Sequence, residues 1–284
     1  MLNVCDIQVM KPLLSEYGFH FSKAKGQNFL TARWVPERIA EDAGVDGTAG
    51  VLEIGPGIGP LTAELAQRAG KVVSVELDKS LLPVLAETMA PYPNVEIVPG
   101  DVMKLDLDAL VREKFAGLRP IVCANLPYNI TTPVLTKLIE TPCFETVTVL
   151  IQREVARRLC APQGSSDGGS FSLFLQYHMD AELLFDVPPE KFLPAPKVTS
   201  SVIRCVRRER PAVETADEAW FFKVVRGAFL LRRKTLSNSL AAALGMGKEN
   251  VQAAIAACGF APSVRGEQLT LEDFARLAEA LKTA

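Results

Sequence analysis

The chain has 284 residues, of which 48% are hydrophobic and 23% charged, and its formal net charge is -2. These figures suit a globular protein of one large domain, or of a large and a small one. Six cysteines without Cys-x-x-Cys spacing, and only two histidines, exclude a disulfide framework and a structural zinc site.

No apolar stretch approaches the length that spans a bilayer, and Met1-Leu2-Asn3-Val4-Cys5-Asp6 lacks the basic start and apolar core of a secretory signal. A cytoplasmic protein without membrane or metal is expected, its cysteines serving as small buried apolar residues. The near-neutral total hides an asymmetry. Residues 41–120 carry 13 acidic and 7 basic side chains, whereas residues 201–240 carry 9 basic and 4 acidic ones. A polyanionic partner is therefore compatible with the charge, provided the basic groups share a face.

In chain order, Trp34 to Gly44 has helical periodicity and ends on glycine. Gly50 to Ile54 reads as a short buried strand, with a helix over Pro60 to Ala69 after it. Lys71 to Leu77 alternates as a second strand, and Ser80 to Met89 is helical. Val95 to Val98, Ile121 to Ala124 and Thr146 to Ile151 make three more strands. A helix over Gln152 to Cys160 follows, then a polar, glycine-rich stretch at 161–170 that is expected to be mobile. Ala181 to Val187 and Thr199 to Val206 read as an antiparallel edge pair. This alternation predicts an α/β domain with a mostly parallel sheet of seven strands.

Beyond Arg210 only helices are predicted: Ala219 to Leu231, Thr235 to Leu244, Lys248 to Ala257 and Leu271 to Lys282. Gly245, Gly247, Gly259 and Pro262 punctuate them, as helix ends require. The predicted organisation is an α/β domain over 1–208 and a small all-α domain over 209–284.

Between the first strand and its helix stands Glu53-Ile54-Gly55-Pro56-Gly57-Ile58-Gly59. Glycines there let backbone approach a ligand closely. The dinucleotide fingerprint G-x-G-x-x-G fails, because Pro60 occupies its third glycine position. The loop instead resembles the E-x-G-x-G-x-G turn of class I S-adenosylmethionine-dependent methyltransferases, with Gly55 and Gly57 nearest the cofactor. Glu76 ends the second strand, where an ionised carboxylate accepts hydrogen bonds from ribose hydroxyls. Asp101 follows the third strand, placed to accept from the cofactor's adenine amine or to cap a helix.

The fourth strand ends in Asn125-Leu126-Pro127-Tyr128, which suits gripping a planar base. The Asn125 side-chain oxygen and the Leu126 carbonyl are candidate acceptors for an exocyclic amine. Pro127 stiffens the turn, and Tyr128 offers a stacking face. Accepting hydrogen bonds from both N–H groups favours a pyramidal nitrogen, whose lone pair is then free to attack a methyl group. Phe192, in Lys191-Phe192-Leu193-Pro194-Ala195-Pro196-Lys197-Val198, is expected to clamp the base from another side.

Together these motifs resemble those of the ribosomal RNA small-subunit adenine N6,N6-dimethyltransferase family. The matching stretches also include Gly26-Gln27-Asn28-Phe29-Leu30, Gln152-Arg153-Glu154-Val155-Ala156 and Arg232-Arg233-Lys234-Thr235-Leu236-Ser237-Asn238. The resemblance implies a Rossmann-like class I methyltransferase fold and S-adenosyl-L-methionine as cofactor. It implies dimethylation of two adjacent adenosines near the 3′ end of small-subunit (16S) rRNA, within an immature subunit. It adds Asn28, Leu30 and Asn125 to the cofactor contacts. RNA contacts are expected from Arg153 and Arg157, one turn apart on a helix, and from Lys197, Arg232, Arg233 and Lys234.

Three other readings stay open on sequence alone. The same chemistry serves a large-subunit rRNA or DNA adenine. An assembly factor can bind an immature subunit and methylate incidentally. A nicotinamide-dependent dehydrogenase is disfavoured by Pro60 and by the lack of a hydride-transfer acid. Nothing in the sequence asks for a dimer, so a monomer is expected.

Overall fold

Runs of β-branched and apolar residues bounded by glycine, proline or polar groups become the strands of this protein. The computed structural model describes residues 2–21, 26–231 and 233–283. In chain order its strands are Phe29–Leu30 (β1), Ala49–Ile54 (β2), Lys71–Glu76 (β3), Val95–Pro99 (β4) and Arg119–Asn125 (β5). Thr146–Gln152 (β6), Met179–Val187 (β7), Phe192–Leu193 (β8) and Ser200–Arg207 (β9) follow. The helices are Ile7–Glu16 (α1), Trp34–Asp42 (α2), Pro60–Ala66 (α3), Leu82–Thr88 (α4), Leu107–Lys114 (α5) and Thr131–Glu140 (α6). Then come Arg153–Leu159 (α7), Ser170–His178 (α8), Glu218–Ala228 (α9), Leu236–Leu244 (α10), Lys248–Ala257 (α11) and Leu271–Lys282 (α12).

The chain divides into two compact units, one of residues 1–156 and 182–207, the other of residues 157–181 and 208–284. Segment 157–181 thus falls with the C-terminal helices, inside what the sequence assigned to the α/β domain. No helix among the described residues is long and apolar enough to cross a membrane.

The large sheet has the order β4-β3-β2-β5-β6-β9-β7. β2 pairs in parallel with β3 and β5, β3 with β4, and β5 with β6, while β9 runs antiparallel to β6. The fold class expected from the sequence is therefore the one observed, a mostly parallel seven-stranded sheet with helices. The strand order reverses at β2, which sends β3 and β4 to one side and β5 onward to the other. Such a switch point opens a crevice beyond the carboxyl ends of the strands.

Alternating strand residues supply one core: Val51, Val72, Ile121, Cys123 and Val202 are each 0% exposed and pack with Val35 and Ile39 of α2 and Leu65 of α3. A second core joins Met10, Leu13 and Leu14 of α1 to Phe19, Phe29, Ile58 and Leu85. Cys5, Cys123 and Cys205 are buried. Burial pushes the Cys5 thiol up to about 12, the behaviour of an inert packing residue.

A two-stranded ribbon is absent from the sequence reading. β1 pairs antiparallel with β8, with Phe29 opposite Leu193 and Leu30 opposite Phe192. It joins the Gly26–Leu30 motif to the Phe192–Val198 motif.

In the second unit, one core gathers Leu173 and Tyr177 of α8 with Phe221 and Val225 of α9, Leu240 of α10, Ile255 of α11 and Phe274 of α12. Asp217 caps α9 by accepting from the Trp220 N–H, and Thr270 with Asp273 forms a capping box on α12. The stretch 161–170, expected to be mobile, is tied down here. The Gln163 side-chain oxygen accepts from the Leu271 N–H at 2.8 Å, satisfying a donor in the first turn of α12.

Candidate active site

The carboxyl ends of β2, β3 and β5 and the loop after β4 enclose a cavity of about 200 Å³. Ten residues singled out in the sequence line it: Asn28, Leu30, Gly55, Gly57, Glu76, Asp101, Asn125, Leu126, Pro127 and Tyr128. Each strand delivers one polar group as its apolar run ends, which explains the convergence.

The floor is the turn after β2. Gly57 has φ +64° and Gly59 φ +92°, values that L side chains rarely adopt. A Cβ on Gly57 would stand 3.1 Å from the Phe29 ring, closer than ordinary contact, so the approach of β1 also disfavours a side chain there. Pro60 opens α3 at the position where a missing N–H costs nothing.

Glu76 is 6% exposed, and burial raises its pKa. Backbone donors hold the carboxylate in place, among them the Asp78 N–H at 2.7 Å and the Gly57 N–H at 3.3 Å. An ionised carboxylate only accepts, so its remaining capacity suits a ligand hydroxyl. Asp101 takes the capping role that the sequence allowed, and it faces the cavity as well. Its Oδ1 accepts from the Met103 N–H at 3.0 Å and caps a short 3-10 turn.

Asn125 ends β5. Its Nδ2 donates to the Asn28 carbonyl at 3.1 Å, which fixes the amide with Oδ1 as the remaining acceptor. Leu126 follows with its N–H bonded to the Leu150 carbonyl. The Pro127 carbonyl accepts from the Ile130 N–H and from Thr131 Oγ1, closing the turn. Tyr128 Oη lies 2.6 Å from Ser200 Oγ of β9, and burial raises the phenol pKa.

Phe192 departs from its expected place. It does not line the cavity, being 4% exposed in the core with Leu30, Val187 and Val202. The reason is the β1–β8 pairing, which turns an apparently irregular, proline-flanked segment into a strand whose aromatic ring faces inward. Among the RNA candidates, Arg153 is exposed and lies 3.8 Å from Asp186. Arg157, Lys197, Arg233 and Lys234 are exposed. Arg232 lies outside the described residues.

Two carboxylates beneath the cavity escaped the sequence reading. Glu53 is 1% exposed and lines the cavity floor. Its Oε2 accepts from Thr62 Oγ1 and Ser74 Oγ, each at 2.6 Å, and burial pushes its pKa up to about 7. Asp78 is 5% exposed and accepts from Gln27 Nε2 at 2.7 Å. Glu53 opens the glycine-rich loop motif and Asp78 stands two residues after Glu76, and only their burial distinguishes them from surface acids.

The cavity therefore offers anchored acceptors for a diol and an amine, apolar walls from Ile54, Leu77 and Val102, and a separate aromatic–amide corner at Asn125 and Tyr128. That donor and acceptor set fits S-adenosylmethionine beside a planar base. Residues 18–283 match the family model described as ribosomal RNA adenine dimethylase. The chain belongs to this family. Membership makes it a methyltransferase of ribosomal RNA adenine with S-adenosylmethionine as methyl donor.

Curated relatives agree. The chain is 43% identical to ribosomal RNA small subunit methyltransferase A of Streptococcus equi subsp. zooepidemicus, with 99% of each chain covered. It is 46% identical to the protein of that name from Geobacillus thermodenitrificans, over 95% of this chain and 94% of the relative. Among solved structures, the 23S rRNA methyltransferase ErmE is 30% identical, covering 90% of this chain and 100% of its own, with a TM-score of 0.69. A dimethyladenosine transferase from Plasmodium falciparum has the same fold at a TM-score of 0.72, with 23% identity over 90% of this chain and 98% of its own.

Proposed function

We propose that the protein dimethylates N6 of two adjacent adenosines near the 3′ end of small-subunit (16S) rRNA, in the cytoplasm, as a monomer acting on an immature subunit. The observation that carries the chemistry is the Asn125 amide. With Nδ2 committed to the Asn28 carbonyl, Oδ1 is presented as an acceptor beside the Tyr128 ring.

S-adenosylmethionine supplies an electrophilic methyl group when bound. Glu76 takes the ribose hydroxyls, Asp101 the adenine amine, and Gly55, Gly57, Asn28 and Leu30 the rest of the molecule. The target adenine leaves its stack and enters the corner at Asn125. Asn125 Oδ1 and the Leu126 carbonyl accept from its N6 protons, and Pro127 holds that carbonyl in line. Tyr128 stacks on the ring, its orientation fixed by Ser200. Once methylated, the amine releases its proton to water, so no side chain is needed as a base. Preorganised geometry accounts for the acceleration.

The exposed Arg153, Arg157, Lys197, Arg233 and Lys234, with Arg232, serve the RNA backbone, whose phosphates attract such cations irrespective of sequence. The helical unit is the part that selects the small subunit. Support for small over large subunits comes from the relatives named small subunit methyltransferase A, which the chain matches over nearly its whole length.

Tritiated methyl transfer to small subunits lacking these marks tests the substrate, with naked rRNA, large subunits and adenine-containing DNA beside them. Label confined to small subunits is expected. Label on large-subunit RNA or DNA alone would keep the chemistry and discard the substrate.

A further inference from the structure

Residues 26–30 line the cavity and touch both the Gly57 turn and the Asn125–Asn129 turn. Phe29 packs over the Gly57 turn, and its neighbour Leu30 pairs with Phe192. A Cβ on Gly26 would stand 3.0 Å from Asn129 Oδ1 and 3.5 Å from the Pro127 ring, so the segment lies directly on the base-gripping turn. Between those contacts, the Asn28 carbonyl holds the Asn125 amide.

That carbonyl has an anchor on either side. Downstream is the β1–β8 ladder. Upstream is the Gln27 side chain, whose Nε2 donates to Asp78 Oδ2 at 2.7 Å. Asp78 is a buried acid that is itself well fixed. Its Oδ1 accepts from the Ser80 N–H at 3.1 Å and from Ser80 Oγ at 2.7 Å, and its own N–H donates to Glu76 Oε1 at 2.7 Å. One residue thus joins the acid that takes the ribose to the strap that orients Asn125.

We propose that Gln27 is a positioning residue. Its hydrogen bond to Asp78 keeps the Asn28 carbonyl where it holds Asn125 Oδ1 toward the target amine, and so ties the cofactor acid to the base-gripping turn. This rests on Asn125 being the acceptor of the target N–H groups. Gln27 makes no bond to the reacting atoms in this role, and its loss acts on the chemical step.

The test is a set of variants measured in single turnover on unmarked small subunits, with the affinity for S-adenosylhomocysteine measured beside it. Gln27→Ala lowers the transfer rate about ten-fold, as slight misplacement of a reacting group does, and leaves cofactor affinity and subunit KM within about two-fold. Gln27→Glu alone sets an acid against Asp78 and is slower still. Gln27→Glu combined with Asp78→Asn reverses donor and acceptor and restores most of the rate.

A second readout needs no substrate. In 15N-labelled protein with S-adenosylhomocysteine bound, the Asn125 Nδ2 protons exchange faster in Gln27→Ala than in the wild type. Unchanged Asn125 exchange overturns the proposal whatever the rate does. So does cofactor affinity that weakens in proportion to the rate, or a reversed pair that restores nothing. Should the wild type methylate no small subunits, the substrate reading fails, and the Asn125 exchange decides the role of Gln27 separately.

Discussion

Tyr128 Oη and Ser200 Oγ lie 2.6 Å apart, joining the turn after β5 to the antiparallel strand β9. Ser200 is 0% exposed, so this bond sets a solvent-reaching ring by a fixed point in the sheet. The ring and the hydroxyl therefore have separable tasks. Tyr128→Phe keeps the stacking face, and is expected to lower methyl transfer only a few-fold by loosening the ring, on the order of 1 kcal/mol for one hydrogen bond. Tyr128→Ala removes stacking worth about 1–3 kcal/mol and raises the KM for RNA substrate as well. Steady-state kinetics on both variants check the order. Equal loss in the two would place the function of Tyr128 in its hydroxyl.

Glu53 makes the fold sensitive to pH. Its ordinary value is 4.5, and burial pushes it up to about 7. Between those values the folded protein holds a proton that the unfolded chain releases, so stability falls as pH rises through the window. The contribution is complete below about 4.5 and gone above about 7, with a full span of at most about 3 kcal/mol. Glu53→Gln cannot ionise and keeps an oxygen for Thr62 and Ser74. The Tm of Glu53→Gln minus that of the wild type should become more positive between pH 5 and pH 8. Parallel Tm curves would show that Glu53 does not titrate in this range.

Lys137 of α6 holds the far wall of the cofactor cavity. Its Nζ donates to the Met103 carbonyl at 2.9 Å and to the Leu105 carbonyl at 2.7 Å, just beyond Asp101. Lys137→Met removes both bonds and releases the loop. S-adenosylhomocysteine affinity should fall about five-fold, roughly 1 kcal/mol. Calorimetry that finds wild-type affinity would show the loop is set by Asp101 alone.

Much of this site is legible in the sequence because each parallel strand ends an apolar run with one polar residue. Glu76, Asp101 and Asn125 announce themselves that way, and the switch point at β2 follows from the order of strands and helices. Phe192 is not legible, since its place depends on pairing with Leu30 across most of the chain, and two nearby prolines disguise a strand. Gln163 looks like part of a loose polar stretch until the first turn of α12 uses its side-chain oxygen. α8 is hidden for a related reason: Phe171, Leu173, Leu175 and Tyr177 alternate as a strand would. The core around Phe221 decides for helix. Local pattern names the polar ends of strands; partners distant in sequence decide what is buried.

Gly57 is constrained twice, by φ +64° and by the Phe29 ring 3.1 Å from where its Cβ would lie. Gly57→Ala is expected to lose about 1–3 kcal/mol of stability from backbone strain alone. It also displaces the N–H that Glu76 accepts. Denaturant unfolding and S-adenosylhomocysteine titration should both show the loss. Stability lost without loss of cofactor affinity would separate the turn from the site.

In the proposed mechanism Asn125, held by the Asn28 carbonyl, presents the acceptor that readies the target amine. The most direct test is Asn125→Ala on unmarked small subunits in single turnover, with nucleosides resolved by mass spectrometry. N6,N6-dimethyladenosine should fall at least about 100-fold, while calorimetry still detects S-adenosylhomocysteine binding. Dimethyladenosine formed by Asn125→Ala at the wild-type rate would contradict the account.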